Sequence, residues 1–113
     1  MIKIYHNPRC RKSREGLAFL QEKGHTFEEV RYLDTPFTQD ELRAVIEKLG
    51  IAPVELVRKT EAIWKENFKG KELSDVEIIE AMVENPKLIE RPIVVNGNKA
   101  VVARPAEKID EIL

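Results

Sequence analysis

The first 33 residues contain a strand, a helix and a second strand in succession, and this order restricts the fold more than any other feature of the sequence. Residues 1–5 form a short apolar run, and Asn7-Pro8 ends it because proline lacks the N–H that a strand ladder needs. Residues 11–24 follow a helical pattern, and residues 26–33 are again extended in character. Because two strands joined by one helix form a right-handed parallel unit, the sequence predicts an α/β fold.

The last part of the chain has the pattern of a hairpin. Two apolar runs, residues 92–95 and 99–103, flank Asn96-Gly97-Asn98, a combination that favours positive φ angles and a tight turn. An antiparallel pair added to a parallel unit gives a mixed four-stranded sheet. Residues 106–113 are predicted to form a closing helix with Pro105 at its first position, where a missing N–H is tolerated.

The middle of the chain is predicted to be helical. Thr38 with Glu41, and Ser74 with Glu77, both match the capping box, in which a hydroxyl and a later carboxylate satisfy exposed helix N–H groups. Apolar stripes of helical spacing follow both boxes, and shorter helical pieces are predicted at residues 54–58 and 61–65. Residues 36–85 are therefore interpreted as a helical insert within a single domain of residues 1–113.

The net charge and the number of cysteines exclude several classes of partner and site. Nineteen basic and twenty acidic residues give a net charge of −1, which argues against nucleic acid or a membrane surface as a partner. One cysteine cannot form an internal disulfide, and with two histidines it is too little for a Cys/His metal site. Without an apolar leader at the N-terminus, we expect a cytoplasmic protein, in a compartment that keeps thiols reduced.

The lone cysteine lies in a concentrated basic segment. Arg9-Cys10-Arg11-Lys12-Ser13-Arg14 places four cations around the thiol of an almost neutral chain. Neighbouring cations and the free N–H groups of a helix start both favour a thiolate, so we expect a lowered pKa. The same N–H groups can bind an external oxyanion. The alternative is an inert, buried cysteine beside a solvated helical turn.

Two other cysteine motifs do not fit this segment. A phosphatase loop has arginine six residues after its cysteine, where this chain has Gly16. A dithiol motif has a second cysteine three residues on, where this chain has Ser13. A redox cycle at Cys10 would therefore need a thiol from outside the chain.

Four segments together resemble a known family. Tyr5-His6-Asn7-Pro8-Arg9-Cys10 through Ser13 is similar to the active-site loop of glutaredoxin-dependent arsenate reductases, in the arsenate reductase/Spx family. Val57-Arg58-Lys59, Glu90-Arg91-Pro92-Ile93-Val94-Val95 and Ala103-Arg104-Pro105 match its other motifs in order and approximate spacing. The chain departs from the family at Arg11 and Lys12, positions that are often small or polar in characterised reductases.

The resemblance implies a thioredoxin-like fold and a set of site residues. Cys10 would be the nucleophile, His6 would help to set its acidity, Asn7 would order the loop, and Ser13 would replace a resolving thiol. The resemblance also implies that Arg58, Arg91 and Arg104 converge to hold the oxyanion and that Pro92 follows a cis peptide bond. Guanidinium groups suit this purpose because they offer paired donors that stay charged.

The implied reaction reduces arsenate to arsenite through a covalent adduct of arsenic with Cys10. Glutathione would be the reducing cosubstrate, glutaredoxin would resolve the mixed disulfide, and no cofactor or metal would be bound. We expect a monomer. His25 and the aromatic residues, Trp64 among them, are interpreted as surface or packing residues.

Two other functions remain open from the sequence. Spx-type members of the same family regulate transcription by contacting RNA polymerase, although they usually carry a dithiol switch that Ser13 would remove. A monothiol, glutathione-dependent reductase acting on another substrate, such as a glutathione mixed disulfide, would use the same activated Cys10.

Overall fold

A computed structural model describes residues 2–113 of the chain. Met1, which the sequence assigns to the first strand, lies outside the described residues. The chain divides into two compact units, of which the first joins Met1–Thr35 with Arg91–Leu113 and the second is Pro36–Glu90. The second unit starts where the helical insert is predicted to start and extends beyond its predicted end at residue 85.

The first unit contains a mixed four-stranded sheet, as predicted. Its strands are β1 (Ile2–Tyr5), β2 (Phe27–Val30), β3 (Ile93–Asn96) and β4 (Lys99–Val102), in the order β2-β1-β3-β4. β1 is parallel to β2 and antiparallel to β3, and β3 and β4 form the hairpin. In the parallel pair Tyr5 lies opposite Val30, so the segments that follow β1 and β2 emerge at the same edge of the sheet.

Helix α1 (Arg11–Glu22) connects the two parallel strands and buries Ser13, Gly16 and Leu20. A 3-10 helix, Ala106–Ile112, packs against α1 and against the hairpin strands. One apolar cluster joins these elements because each of them contributes aliphatic side chains to it: Ile2, Ile4, Leu20, Val94, Ala103, Ile109 and Ile112. This cluster packs the second half of α1 against the sheet.

The second unit contains helices only, apart from one isolated bridge between Val57 and Ile89. Its elements are α2 (Gln39–Leu49), a 3-10 turn (Pro53–Leu56), α3 (Ala62–Asn67), α4 (Asp75–Glu84) and a second 3-10 turn (Pro86–Leu88). Both predicted capping boxes are present, at the starts of α2 and α4, and these two helices pack against each other.

Three predicted elements differ from the structure. The strand predicted at residues 26–33 ends at Val30, because the N–H groups of Asp34 and Thr35 donate to the carbonyl of Arg31 and form a turn. Residues 54–58 and 106–113 are short 3-10 helices, at Pro53–Leu56 and Ala106–Ile112. Pro105 occupies the N-cap of the last helix, one position before the one predicted. None of the helices within residues 2–113 is long and apolar enough to cross a membrane.

Candidate active site

Cys10 occupies the N-cap of α1, at the end of the loop that follows β1. Its backbone is extended, with φ −90° and ψ 126°, and its carbonyl accepts from the N–H of Arg14 at 3.1 Å to begin the helix. The thiol is free and half-buried. A cysteine at this position faces the N–H groups of the first helical turn, where negative charge is stabilised.

Asn7 holds the loop in front of Cys10 through three hydrogen bonds. Its carbonyl accepts from the N–H of Cys10 at 2.9 Å, and its side-chain oxygen accepts from the N–H of Arg9 at 3.0 Å. Its own N–H donates to the hydroxyl of Ser13 at 3.2 Å. Ser13 is completely buried, so its hydroxyl ties the loop to the first turn of α1.

The pKa of Cys10 falls to about 7. Burial acts in the opposite direction, because it penalises the charged form, and the stabilising groups outweigh it. The N–H of Ser13 lowers the pKa, then the guanidinium of Arg91 through its donors and its positive charge, and last the N–H of Lys12. The sequence predicts a lowered pKa for this thiol, and the structure shows one.

The cations that flank Cys10 in sequence do not supply this effect, contrary to the sequence interpretation. Arg11 and Lys12 pair with Glu15 at 3.3 Å and 3.5 Å. Arg14 donates to the carbonyl of Pro8 at 3.1 Å. The charge that lowers the pKa comes from Arg91, which is remote in sequence.

Arg91 lies beside Cys10 at the start of the hairpin. The Arg91–Pro92 peptide bond is cis, as the resemblance implies, and Arg104–Pro105 is a second cis bond. The Nη1 of Arg104 donates to the carbonyl of Arg91 at 3.2 Å. The buried Nε of Arg91 has no hydrogen-bond partner within residues 2–113, which leaves a donor for an anion.

Gly16 allows Pro92 to approach the first turns of α1. An ideal Cβ on Gly16 would lie 2.9 Å from the Cγ of Pro92, closer than real Cβ contacts, and 3.6 Å from the Cδ1 of Ile4. Only glycine fits this position without a shift of its neighbours. The residue that excluded a phosphatase loop thus has a packing role beside Arg91.

His6 lies at the end of β1 and is 1% exposed. Its Nε2 is 2.8 Å from the carboxylate of Glu29, on the neighbouring strand β2. Its buried Nδ1 has no hydrogen-bond partner within residues 2–113. Glu29, rather than the thiol, is the direct contact of His6, and a contribution of His6 to thiol acidity stays a prediction.

Arg58 belongs to the second unit, whereas the other proposed site residues belong to the first. Its Nη1 donates to Glu61 at 2.7 Å, and its backbone N–H donates to the carbonyl of Leu88 at 2.6 Å. This pairing uses one of the five N–H donors of the guanidinium. Convergence of Arg58 on the thiol stays a prediction.

The structure thus brings most of the predicted site together in the first unit: His6, Asn7, Cys10, Ser13, Arg91, Pro92 and Arg104. Sequence reasoning missed Glu29 in β2 and Arg31, which directly follows that strand. The parallel pairing of β1 with β2 was the available signal, because it brings the ends of both strands to one edge. Within residues 2–113 no group of three or more His, Cys, Asp or Glu side chains could hold a metal ion.

Comparison with known proteins agrees with this geometry. The model of the ArsC family matches residues 5–112. The chain is 49% identical over 114 residues to the uncharacterized protein YfgD of Escherichia coli, covering 99% of this chain and 96% of that protein. It is 44% identical over 112 residues to the arsenate reductase of Haemophilus influenzae, covering 97% of each.

The chain is also similar to a solved structure of an arsenate reductase. The arsenate reductase of Vibrio cholerae has a TM-score of 0.94 and 44% identity, covering 99% of this chain and 97% of that one. The fold is therefore thioredoxin-like, with a mixed four-stranded sheet and a cysteine at the start of the first helix. Within this class, the chain belongs to the ArsC family.

Proposed function

We propose that this chain is an arsenate reductase that uses glutathione as reductant and glutaredoxin as its recycling partner in the cytoplasm. The observation that carries the proposal is a half-buried Cys10 with a pKa of about 7 beside Arg91, which has a buried Nε without a partner in residues 2–113. The names of the relatives from Haemophilus influenzae and Vibrio cholerae support arsenate as the substrate.

The first step forms a bond between Cys10 and arsenic. The Cys10 thiolate attacks arsenic(V), and one arsenate oxygen leaves as water after protonation, so no oxidation state changes. Arg91 and Arg104 would hold the remaining oxygens, with Arg58 completing the set through donors that Glu61 does not use. Fixed donors of this kind also stabilise the charge that develops on oxygen in the transition state.

The second step reduces arsenic. The glutathione thiolate attacks the sulfur of Cys10, and the electron pair of the S–As bond moves to arsenic, which leaves as arsenite. Cys10 is then joined to glutathione in a mixed disulfide. Glutaredoxin attacks the glutathione sulfur of this disulfide and releases the Cys10 thiolate. Two external thiols are required because the chain has one cysteine and Ser13 takes the place of a second.

The two other functions differ from this one in what they require. A regulator with a dithiol switch needs a second cysteine, which the sequence lacks. A reductase of glutathione mixed disulfides needs the activated thiol but no oxyanion donors, so the position of Arg91 beside Cys10 favours an oxyanion substrate.

A coupled assay tests the proposal. Arsenate is added to the protein with glutathione, glutaredoxin, glutathione reductase and NADPH, and NADPH consumption is followed. We expect arsenate-dependent turnover that Cys10→Ser abolishes and Arg91→Ala lowers by about 100-fold, the usual cost of one preorganised donor. Arg43→Ala is the matched control, since Arg43 pairs with Asp40 on α2, and it should keep the wild-type rate.

Absence of arsenate-dependent turnover in the wild type would refute the proposed activity. A second assay, with a glutathione mixed disulfide in place of arsenate, tests the alternative function as a monothiol reductase of another substrate. If that disulfide is reduced by the wild type and by Arg91→Ala alike while arsenate is not reduced, Cys10 serves a reductase of a different substrate.

A further inference from the structure

A cavity of about 400 Å³ adjoins the loop that precedes Cys10. It is lined by residues that directly follow the two parallel strands: Asn7, Pro8 and Arg9 after β1, and Arg31, Leu33 and Asp34 after β2. The carboxyl ends of parallel strands are where open α/β sheets bind their ligands. The volume is within the range of small-molecule sites.

The charged side chains that line this cavity have no ion-pair partner in the part of the chain that the structure describes. Within residues 2–113, the side chains of Arg9, Arg31 and Asp34 form no ion pair, although Arg11 and Lys12 in the same basic segment do. Two guanidinium groups and one carboxylate thus line one cavity without internal partners. A ligand that matches them carries two negative charges and one positive charge.

The cavity is lined by residues of the loop that leads to Cys10, although Cys10 is not itself one of the lining residues. Asn7 forms part of its wall, and the carbonyl of Asn7 accepts from the N–H of Cys10 at 2.9 Å. Arg9 is the residue before Cys10, and its N–H is held by the side chain of Asn7 at 3.0 Å. A ligand in this cavity therefore lies against the loop that ends at Cys10.

We propose that this cavity is the binding site for the glutathione of the reaction, with Arg9 and Arg31 holding its two carboxylates and Asp34 holding its ammonium group. Glutathione carries these three charges and a central thiol, so its charges complement the cavity. Pro8 and Leu33 supply apolar walls for the backbone of the tripeptide. The inference rests on the proposed function, because glutathione is the reductant in that function.

A binding experiment tests the cavity without any turnover. S-methylglutathione, which keeps the three charges but cannot react, is titrated calorimetrically into the wild type, Arg9→Ala, Arg31→Ala, Asp34→Asn and the control Arg43→Ala. Loss of one charged contact should raise Kd by about tenfold in each cavity variant, and Arg43→Ala should match the wild type. Absence of binding to the wild type, or equal Kd values in all variants, would overturn the proposal.

Kinetic measurements with two reductants distinguish failure of the glutathione-site proposal from failure of the proposed arsenate reductase activity. With arsenate as substrate, Arg31→Ala should raise KM for glutathione by about tenfold and leave KM for arsenate unchanged. With 2-mercaptoethanol, which has neither carboxylate, Arg31→Ala and the wild type should react equally. If S-methylglutathione binding depends on Arg31 but no protein reduces arsenate, the cavity proposal holds and the arsenate function fails. If arsenate is reduced but Arg31→Ala changes neither KM nor Kd, the cavity proposal fails alone.

Discussion

At the scale of single residues, the acidity of Cys10 depends on one remote side chain and one helical turn. The N–H groups of Ser13 and Lys12 are fixed by α1, and Arg91 adds donors and a full positive charge. The cationic side chains next to Cys10 in sequence are not among the groups that lower its pKa, and three of them contact Glu15 or the carbonyl of Pro8. Local composition predicted the lowered pKa of Cys10 but not the contribution of Arg91 to it.

The titration of Cys10 is the prediction that belongs to this scale. Thiolate absorbance in the ultraviolet should rise with pH, with its midpoint near pH 7, and Arg91→Ala should move this midpoint to higher pH.

The same pKa determines how activity and stability depend on pH. Arsenate turnover requires the thiolate, so below this midpoint the turnover rate should fall about tenfold per pH unit. Because the folded-state pKa is lowered, Cys10 stabilises the fold above its unfolded-state pKa, and this stabilisation is lost as the pH falls through about 7.

Arg91→Lys is the matched comparison for this titration. It keeps the positive charge but loses the planar donors of guanidinium, so its midpoint should lie between those of the wild type and Arg91→Ala. A midpoint that is the same in the wild type and Arg91→Ala would contradict the assignment of Arg91 as an activating group.

At the scale of elements, the packing of α1 against Pro92 determines where Arg91 can lie. Gly16 is buried on the face of α1 that meets Pro92, and the proline ring occupies the space of an absent Cβ. A proline ring cannot swing aside as the end of a long side chain can. The contact between Gly16 and Pro92 therefore fixes Arg91 relative to α1, which carries Cys10 at its N-cap.

Gly16→Ala tests this contact. The added methyl group should displace Pro92 and with it Arg91, which should destabilise the protein by about 1–3 kcal/mol, the usual cost of overpacking, and raise the pKa of Cys10. Urea unfolding and thiolate titration measure the two effects. Ala18→Gln, on an exposed position of the same helix, should change neither quantity. A stable Gly16→Ala variant with an unchanged thiol pKa would show that α1 and Pro92 are not coupled in this way.

The sequence predicted the elements well where local signals determine them. The two capping boxes, the Asn-Gly turn and the strand-helix-strand order all depend on neighbouring residues, and all three are present. The extent of β2 was wrong, since Tyr32 is buried by a turn and not by strand pairing. The contacts of His6 with Glu29 and of Gly16 with Pro92 join residues far apart in sequence, so no local pattern could predict them.

At the scale of the whole molecule, a chain with a single cysteine in 113 residues can provide a nucleophilic thiol but not a second thiol to resolve it. The chain can supply one nucleophile and the donors around it, but it cannot form an internal disulfide. Nor can its overall charge attract an anion, because the net charge is −1 and the attraction must come from the few arginines at the site. In the proposed function, completion of the redox cycle therefore depends on external thiols.

This dependence gives the last prediction, which rests on the proposed function. With arsenate and glutathione but no glutaredoxin, the protein should complete one turnover and accumulate one glutathionyl group per chain, which intact-mass spectrometry would detect. Adding glutaredoxin should remove the group and restore turnover, because its thiolate attacks the glutathione sulfur of the mixed disulfide. Cys10→Ser should never carry the group. Continuous turnover without glutaredoxin and without the adduct would mean that glutathione alone recycles Cys10, and the requirement for a second protein would be wrong.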